Sequence, residues 1–203
     1  GDRAFCTGGD QSEHEGQYDG RGTIGLPIEE LHAAIRDVPV PVIARVQGYA
    51  IGGGNVLATI CDLTICSASA TFGQVGPKMG SVDPGFGTAF LSRVVGEKKA
   101  REMWYLCRRY SGKQAEEMGL ANICVADDEL DATVQEWAEE MAARSPTAIA
   151  IAKRSFNMDT SHQSGIAGMG MYALRLYYET DESQEGVNAL KEKRQPNFRE
   201  FAT

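Results

Sequence analysis

Glycine sets the strongest constraint on this chain. Its 23 glycines include three clusters, at residues 8–9, 48–54 and 76–87. Clustered glycine marks backbone that turns sharply or lies close against a ligand. The run Gly52-Gly53-Gly54 is followed by Asn55-Val56-Leu57-Ala58, which reads as the start of a helix. Main-chain N–H groups at such a start, with the positive end of a helix dipole behind them, favour an anion or an oxygen that becomes one. Two nucleotide motifs are excluded. Leu57 occupies the place of the last glycine of a dinucleotide fingerprint, and no G-K-[S/T] occurs at P-loop spacing. Close packing of a helix on a strand is the structural alternative for the same glycines.

Charge narrows the partners. Twenty-eight acidic against 20 basic side chains give a net charge of −8 over 203 residues, which disfavours a phosphate backbone as partner. No run of 18 apolar residues occurs, and residues 1–5 carry neither a basic flank nor an apolar segment, so neither a membrane span nor a secretory leader is expected and a cytoplasmic location is. The five cysteines (Cys6, Cys61, Cys66, Cys107 and Cys124) form no C-x-x-C and have no histidine at metal-ligand spacing. They read as reduced core thiols, and no metal is expected.

Apolar patterning predicts short strands at 3–6, 42–46, 61–66 and 70–72, with residues 47–54 and 76–87 as loops. Helices are predicted over 27–38, 98–107, 112–118, 130–143, 146–158, 168–178 and 182–193, and a polar surface loop over 11–25. Strands early and helices late imply an α/β core followed by a helical extension. Met169, Met171, Leu174, Leu176 and Tyr177 give that extension more apolar surface than a lone arm hides, so packing on another subunit is expected.

Taken together, Phe5-Cys6-Thr7-Gly8-Gly9-Asp10, Gly48-Tyr49-Ala50-Ile51-Gly52-Gly53-Gly54, Cys61-Asp62 and Phe72-Gly73-Gln74 resemble the crotonase (enoyl-CoA hydratase/isomerase) superfamily along the whole length. The resemblance implies an α/β fold of ββα spiral turns (ClpP-like). It divides the chain into a core over 1–140, with the family's first elements expected upstream of residue 1, and a helical oligomerisation region over 141–203 that covers the active site. It also implies a homotrimer or a hexamer built as a dimer of trimers, and a coenzyme A thioester as substrate. The backbone N–H groups of Gly9 and Gly53 fall at the oxyanion-hole positions, where two fixed dipoles would stabilise a thioester enolate.

The superfamily's hydratases use two glutamates, and their positions match Val56 and Gly76. Neither moves a proton, so simple hydration is not expected. Ser81, Asp83 and Tyr178 match instead the catalytic positions of 2-ketocyclohexanecarboxyl-CoA hydrolase, which opens a ring with water, and of 1,4-dihydroxy-2-naphthoyl-CoA synthase, which closes one. Gln74, Gly76 and Trp104 match the bicarbonate pocket of one class of the synthases, and the occupant here stays open between bicarbonate, water and a substrate carboxylate. No tightly bound cofactor is implied, coenzyme A arriving as part of the substrate.

The synthase's basic residues after the first motif are Ser12 and His14 here, Arg21 falls near its substrate-binding tyrosine, and Ser81-Val82-Asp83-Pro84-Gly85 departs from its pattern. The segments 55–62 and 80–90 look most like the ring-opening hydrolase. A turn reading of Asp83-Pro84-Gly85 with Ser81 as a cap, and a core reading of Trp104, are the structural alternatives. Lys191, Lys193 and Arg194 read as a solvated helix end or as cations for coenzyme A phosphates. His14, His32 and His162 form no triad with a serine and an acid, and no G-x-S-x-G elbow occurs. A binding scaffold without catalysis is the remaining class, and retention of Gly9, Gly53, Ser81, Asp83 and Tyr178 weighs against it.

Overall fold

Strands that are apolar on both faces pair in parallel when helices cover them, and two such sheets organise this protein. The computed structural model describes residues 1, 3–9, 28–83, 85–163 and 165–202. The loop expected over 11–25, with Ser12, His14 and Arg21, lies outside the described residues, as do Asp10, Pro27 and Pro84.

One sheet runs in the order β1 (Ala4–Cys6), β3 (Tyr49–Ile51), β5 (Thr71–Gly73) and β6 (Arg109–Ser111), the first three parallel and β6 antiparallel to β5. The other holds β2 (Ile43–Val46), β4 (Leu63–Ser67) and β7 (Ile123–Val125), all parallel. Consecutive strands therefore step from one sheet to the other: β2 to β3, then helix α2 (Gly53–Ile60), then β4 to β5. This is the ββα spiral. Val46, Ala50, Ile65, Cys66 and Phe72 are closed off from solvent along it.

Among the described residues, eight further α-helices follow β5: α3 (Gly76–Met79), α4 (Phe86–Val95), α5 (Glu97–Leu106), α6 (Gly112–Glu117), α7 (Leu130–Ala142), α8 (Pro146–Met158), α9 (Ile166–Tyr178) and α10 (Asp181–Lys191). Helix α1 (Ile28–Asp37) precedes β2. Local chemistry fixes several starts: Ser111 and Gln114 form a reciprocal capping box at α6, Ser145 caps α8 ahead of Pro146, and Thr180 caps α10.

Three expectations change. The stretch 47–54 holds strand β3, and the 76–87 segment holds the one-turn helix α3 and the start of α4. Strands β6 and β7 lie among the helices of the second half, each three residues long, too short for alternation to reveal. Met171 and Leu174, expected to face another subunit, are buried within this chain, whereas Met169, Tyr172 and Leu176 stay exposed. Among the described residues no helix is long and apolar enough to cross a membrane.

A buried lysine fastens the helical region to the core. The Lys153 ammonium on α8 donates to the carbonyls of Ile35 and Val40, each at 2.9 Å, and to Asp62 Oδ2 at 2.7 Å. All three N–H groups are used, on acceptors from three separate segments. Replacing Lys153 by Met strands those acceptors and is expected to lower the unfolding free energy by roughly 3 kcal/mol. Urea denaturation measures it; an unchanged midpoint would mean that the tie contributes nothing.

Candidate active site

A cavity of about 680 Å³ opens where β1, β3 and β5 end. Gly9 follows β1, Gly53 follows β3 and Gln74 follows β5, so parallel strand direction delivers all three to the same rim. The two glycine motifs meet because the backbone of β1 lies directly on α2. A side chain on Gly54 would run into the carbonyl of Cys6, whose oxygen is 1.9 Å from where its Cβ would stand. With Gly54 in place, Gly8 and Gly53 come together, the Gly53 nitrogen 3.8 Å from the side-chain position of Gly8. The Gly52 N–H is taken by the Gly73 carbonyl at 2.9 Å. Gly53 opens α2, where the first amides have no acceptor within the helix.

A second close approach builds the other wall. Gly186 on α10 presses against Met79 and Gly80, its side-chain position only 2.3 Å from the Met79 carbonyl carbon. The Ser183 hydroxyl donates to the Gly80 carbonyl at 3.1 Å. These contacts hold the turn after α3 beside the end of α9, and there Ser81 Oγ and Tyr178 OH share a hydrogen bond of 2.8 Å. Residues 97 positions apart are thus joined at the cavity wall. Burial pushes the Tyr178 phenol above its ordinary pKa, the hydrogen bond to Ser81 pulling the other way. Near neutral pH it remains a protonated donor.

Asp83 lines the same cavity and is oriented by α4. Its Oδ1 accepts from the Gly87 N–H at 2.9 Å, and its Oδ2 from the Thr88 N–H and hydroxyl, both at 2.5 Å. The carboxylate therefore sits at the N-terminus of α4. Three donors leave one of its roughly four lone-pair sites for a water. The turn reading of Asp83-Pro84-Gly85 includes Pro84, outside the described residues; the cap reading fails for Ser81, whose hydroxyl goes to Tyr178 rather than to a helix end.

Beside Asp83, the Trp104 ring closes on Gly76 and Gly87, its Cζ3 3.2 Å and its Cζ2 2.8 Å from where their side chains would stand. Trp104 is 8% exposed and Gln74 1%. Both line the cavity, yet Trp104 Nε1 and Gln74 Nε2 have no hydrogen-bond partner among the described residues. Two buried donors without acceptors form a cradle for an oxygen-bearing group. Trp104 also belongs to the core cluster with Met103 and Leu91, so its core and site readings hold together.

Known proteins fit this geometry. The model of the enoyl-CoA hydratase/isomerase family matches residues 1–201. The chain belongs to that family. Among solved structures, an enoyl-CoA hydratase from Bacillus anthracis is 32% identical, with 97% of this chain and 77% of that one covered and a TM-score of 0.71. One from Mycobacterium avium subsp. paratuberculosis is 30% identical over 86% and 71%, at a TM-score of 0.78. A methylmalonyl-CoA decarboxylase is 26% identical over 94% and 74%, at 0.79.

Within this enoyl-CoA hydratase/isomerase fold, the cavity gathers Gly9, Gly53, Gln74, Gly76, Ser81, Asp83, Trp104 and Tyr178, each singled out from sequence. Val56 and Gly76, which the family resemblance sets against the hydratases' glutamates, line it as well. None of Lys191, Lys193 and Arg194 does. Arg194 is held by both oxygens of Glu185, at 2.5 and 2.7 Å, and by Glu192.

Sequence reasoning missed His32 and Arg109, which also line the cavity. His32 is buried on α1, edge-on to Phe86 with ring centroids 4.8 Å apart. Only its spacing on the apolar face of α1, three residues before Ile35, could have signalled this. Burial lowers the His32 pKa to about 4, so the folded protein holds it neutral. The unfolded chain takes up that proton near pH 6.5, so stability is full above 6.5 and falls as pH drops toward 4. The loss across that window is expected to reach about 3 kcal/mol, and a His32→Phe variant is expected to flatten that part of the slope. Denaturant titrations between pH 4 and 7 measure both; parallel curves would remove His32 as the origin.

Proposed function

We propose that the protein processes acyl-CoA thioesters and opens the ring of a cyclic β-ketoacyl-CoA with water, as in 2-ketocyclohexanecarboxyl-CoA to pimeloyl-CoA. The pairing of Ser81 with Tyr178 in the cavity that Asp83 and Gly53 also line carries this reading. The apolar Val56 and the bare Gly76 support it by leaving hydration without an acid–base pair.

In this reaction Asp83 and Ser81 orient a water and Asp83 accepts its proton as the oxygen adds to the ring ketone. The bond between that carbon and the α-carbon then breaks, and its electron pair passes to the thioester as an enolate. The Gly9 and Gly53 amides stabilise the enolate oxygen, each such donor being worth about 2.7–4 kcal/mol. Tyr178 supplies the proton to the α-carbon, and Asp83 returns its own to the phenolate. One water is added in all, and a dicarboxylic mono-thioester leaves.

The second reading is the ring-closing 1,4-dihydroxy-2-naphthoyl-CoA synthase reaction, favoured by the two partnerless donors on Gln74 and Trp104, which suit bicarbonate. A scaffold without catalysis is the third. The exposed Met169, Tyr172 and Leu176 on α9 support assembly into a trimer or hexamer.

Mass spectrometry separates these readings. A cyclic β-ketoacyl-CoA is expected to gain one water; loss of one water from an aromatic succinyl-CoA would favour the synthase, and no change in either the scaffold. Asp83→Asn, which keeps one acceptor for the α4 amides, is expected to reduce kcat by about 10²–10⁴-fold with thioester binding retained. Unchanged turnover in that variant would take Asp83 out of the mechanism.

A further inference from the structure

We propose that Arg109, together with Gln74 and Trp104, receives the carboxylate created by ring opening and so selects coenzyme A thioesters whose acyl chain ends in a carboxylate. The proposal rests on the ring-opening reading for the origin of that group and adds its recognition.

Arg109 opens β6 directly opposite Gly73 on β5, and Gly73 in turn pairs with Ile51 on β3. Without a side chain at Gly73, the arginine lies across that rung, its Nη1 3.2 Å and its Cδ 3.4 Å from where the glycine Cβ would stand. Because β6 runs antiparallel, its first residue reaches the rim where Gln74 leaves β5. The order β1-β3-β5-β6 puts Gly9 at one edge of the rim and Arg109 at the other. Trp104, five residues earlier, completes the wall.

Charge points the same way. The neighbouring Arg101 and Arg108 pair with Glu97 and Glu102, whereas Arg109 has no ion pair among the described residues. With Gln74 Nε2 and Trp104 Nε1 it presents only donors. The need for them arises at Asp83. The side-chain position of Gly87 is 2.8 Å from Trp104 Cζ2 and 2.9 Å from Asp83 Oδ1, so the indole and the carboxylate flank one point. The ketone carbon attacked beside Asp83 ends as a carboxylate next to another negative group. Two neutral N–H donors and a guanidinium offset that repulsion and hold the new anion.

Binding of pimeloyl-CoA and heptanoyl-CoA, equal in chain length and differing in the terminal carboxylate, tests this by calorimetry on the whole chain. Wild type is expected to prefer pimeloyl-CoA by about tenfold or more, and Arg109→Gln to lose most of that preference with heptanoyl-CoA binding unchanged. Arg109→Lys is expected to restore part of it, and bicarbonate to compete with pimeloyl-CoA alone. Equal binding of the two thioesters by wild type, or a preference untouched in Arg109→Gln, would overturn the proposal. Failure of the parent reading looks different: the cyclic thioester would not be opened although the carboxylate preference persists.

Discussion

Backbone lying on backbone is the constraint from which the rest of this site follows. At Gly54 the first turn of α2 touches the Cys6 carbonyl, and at Gly186 the middle of α10 touches Met79 and Gly80. Neither contact has room for one methyl group. Interiors pack at near-crystalline density and do not absorb such a volume without movement. The first contact sets Gly9 and Gly53 on one rim, and the second sets Ser81 against Tyr178. Chemistry on a thioester needs both, because enolate stabilisation and proton transfer must act on neighbouring atoms.

The cavity lining is mixed. Val56, Leu57, Ile51 and Leu174 give it apolar surface, and Asp83, Ser81, Tyr178, Gln74 and Trp104 place polar groups among them. Pockets of this kind bury an apolar group and orient it by a few polar contacts. The enoyl-CoA hydratase/isomerase fold leaves this possible because the spiral fixes the rim and leaves the side chains on it to set the reaction.

Much of the site could be read from residue identity. Gly53, Ser81, Asp83 and Tyr178 were legible because glycine at a helix start and polar residues in a glycine-rich stretch have few other reasons to occur, and the family pattern joined them. Arg109 was not legible. A strand of three residues has no periodicity, and a lone arginine in the sequence Arg108-Arg109 looks like surface charge. His32 was only faintly legible: its spacing before Ile35 puts it on the apolar face of α1, and nothing in a lone histidine marks it as part of a cavity. The Asp83 environment was not legible, since nothing in the neighbouring residues announces its three donors from α4.

The sequence alone determined the element types over most of the chain and the two glycine motifs, because these depend on local propensity and on residue identity. Tertiary structure decided which distant groups meet: Tyr178 with Ser81, Lys153 with Asp62, and Arg109 with the rim of Gln74. The physical reason is that such contacts are set by strand order, by the antiparallel turn of β6 and by close packing between helices far apart in the chain. None of these leaves a signal in the neighbouring residues.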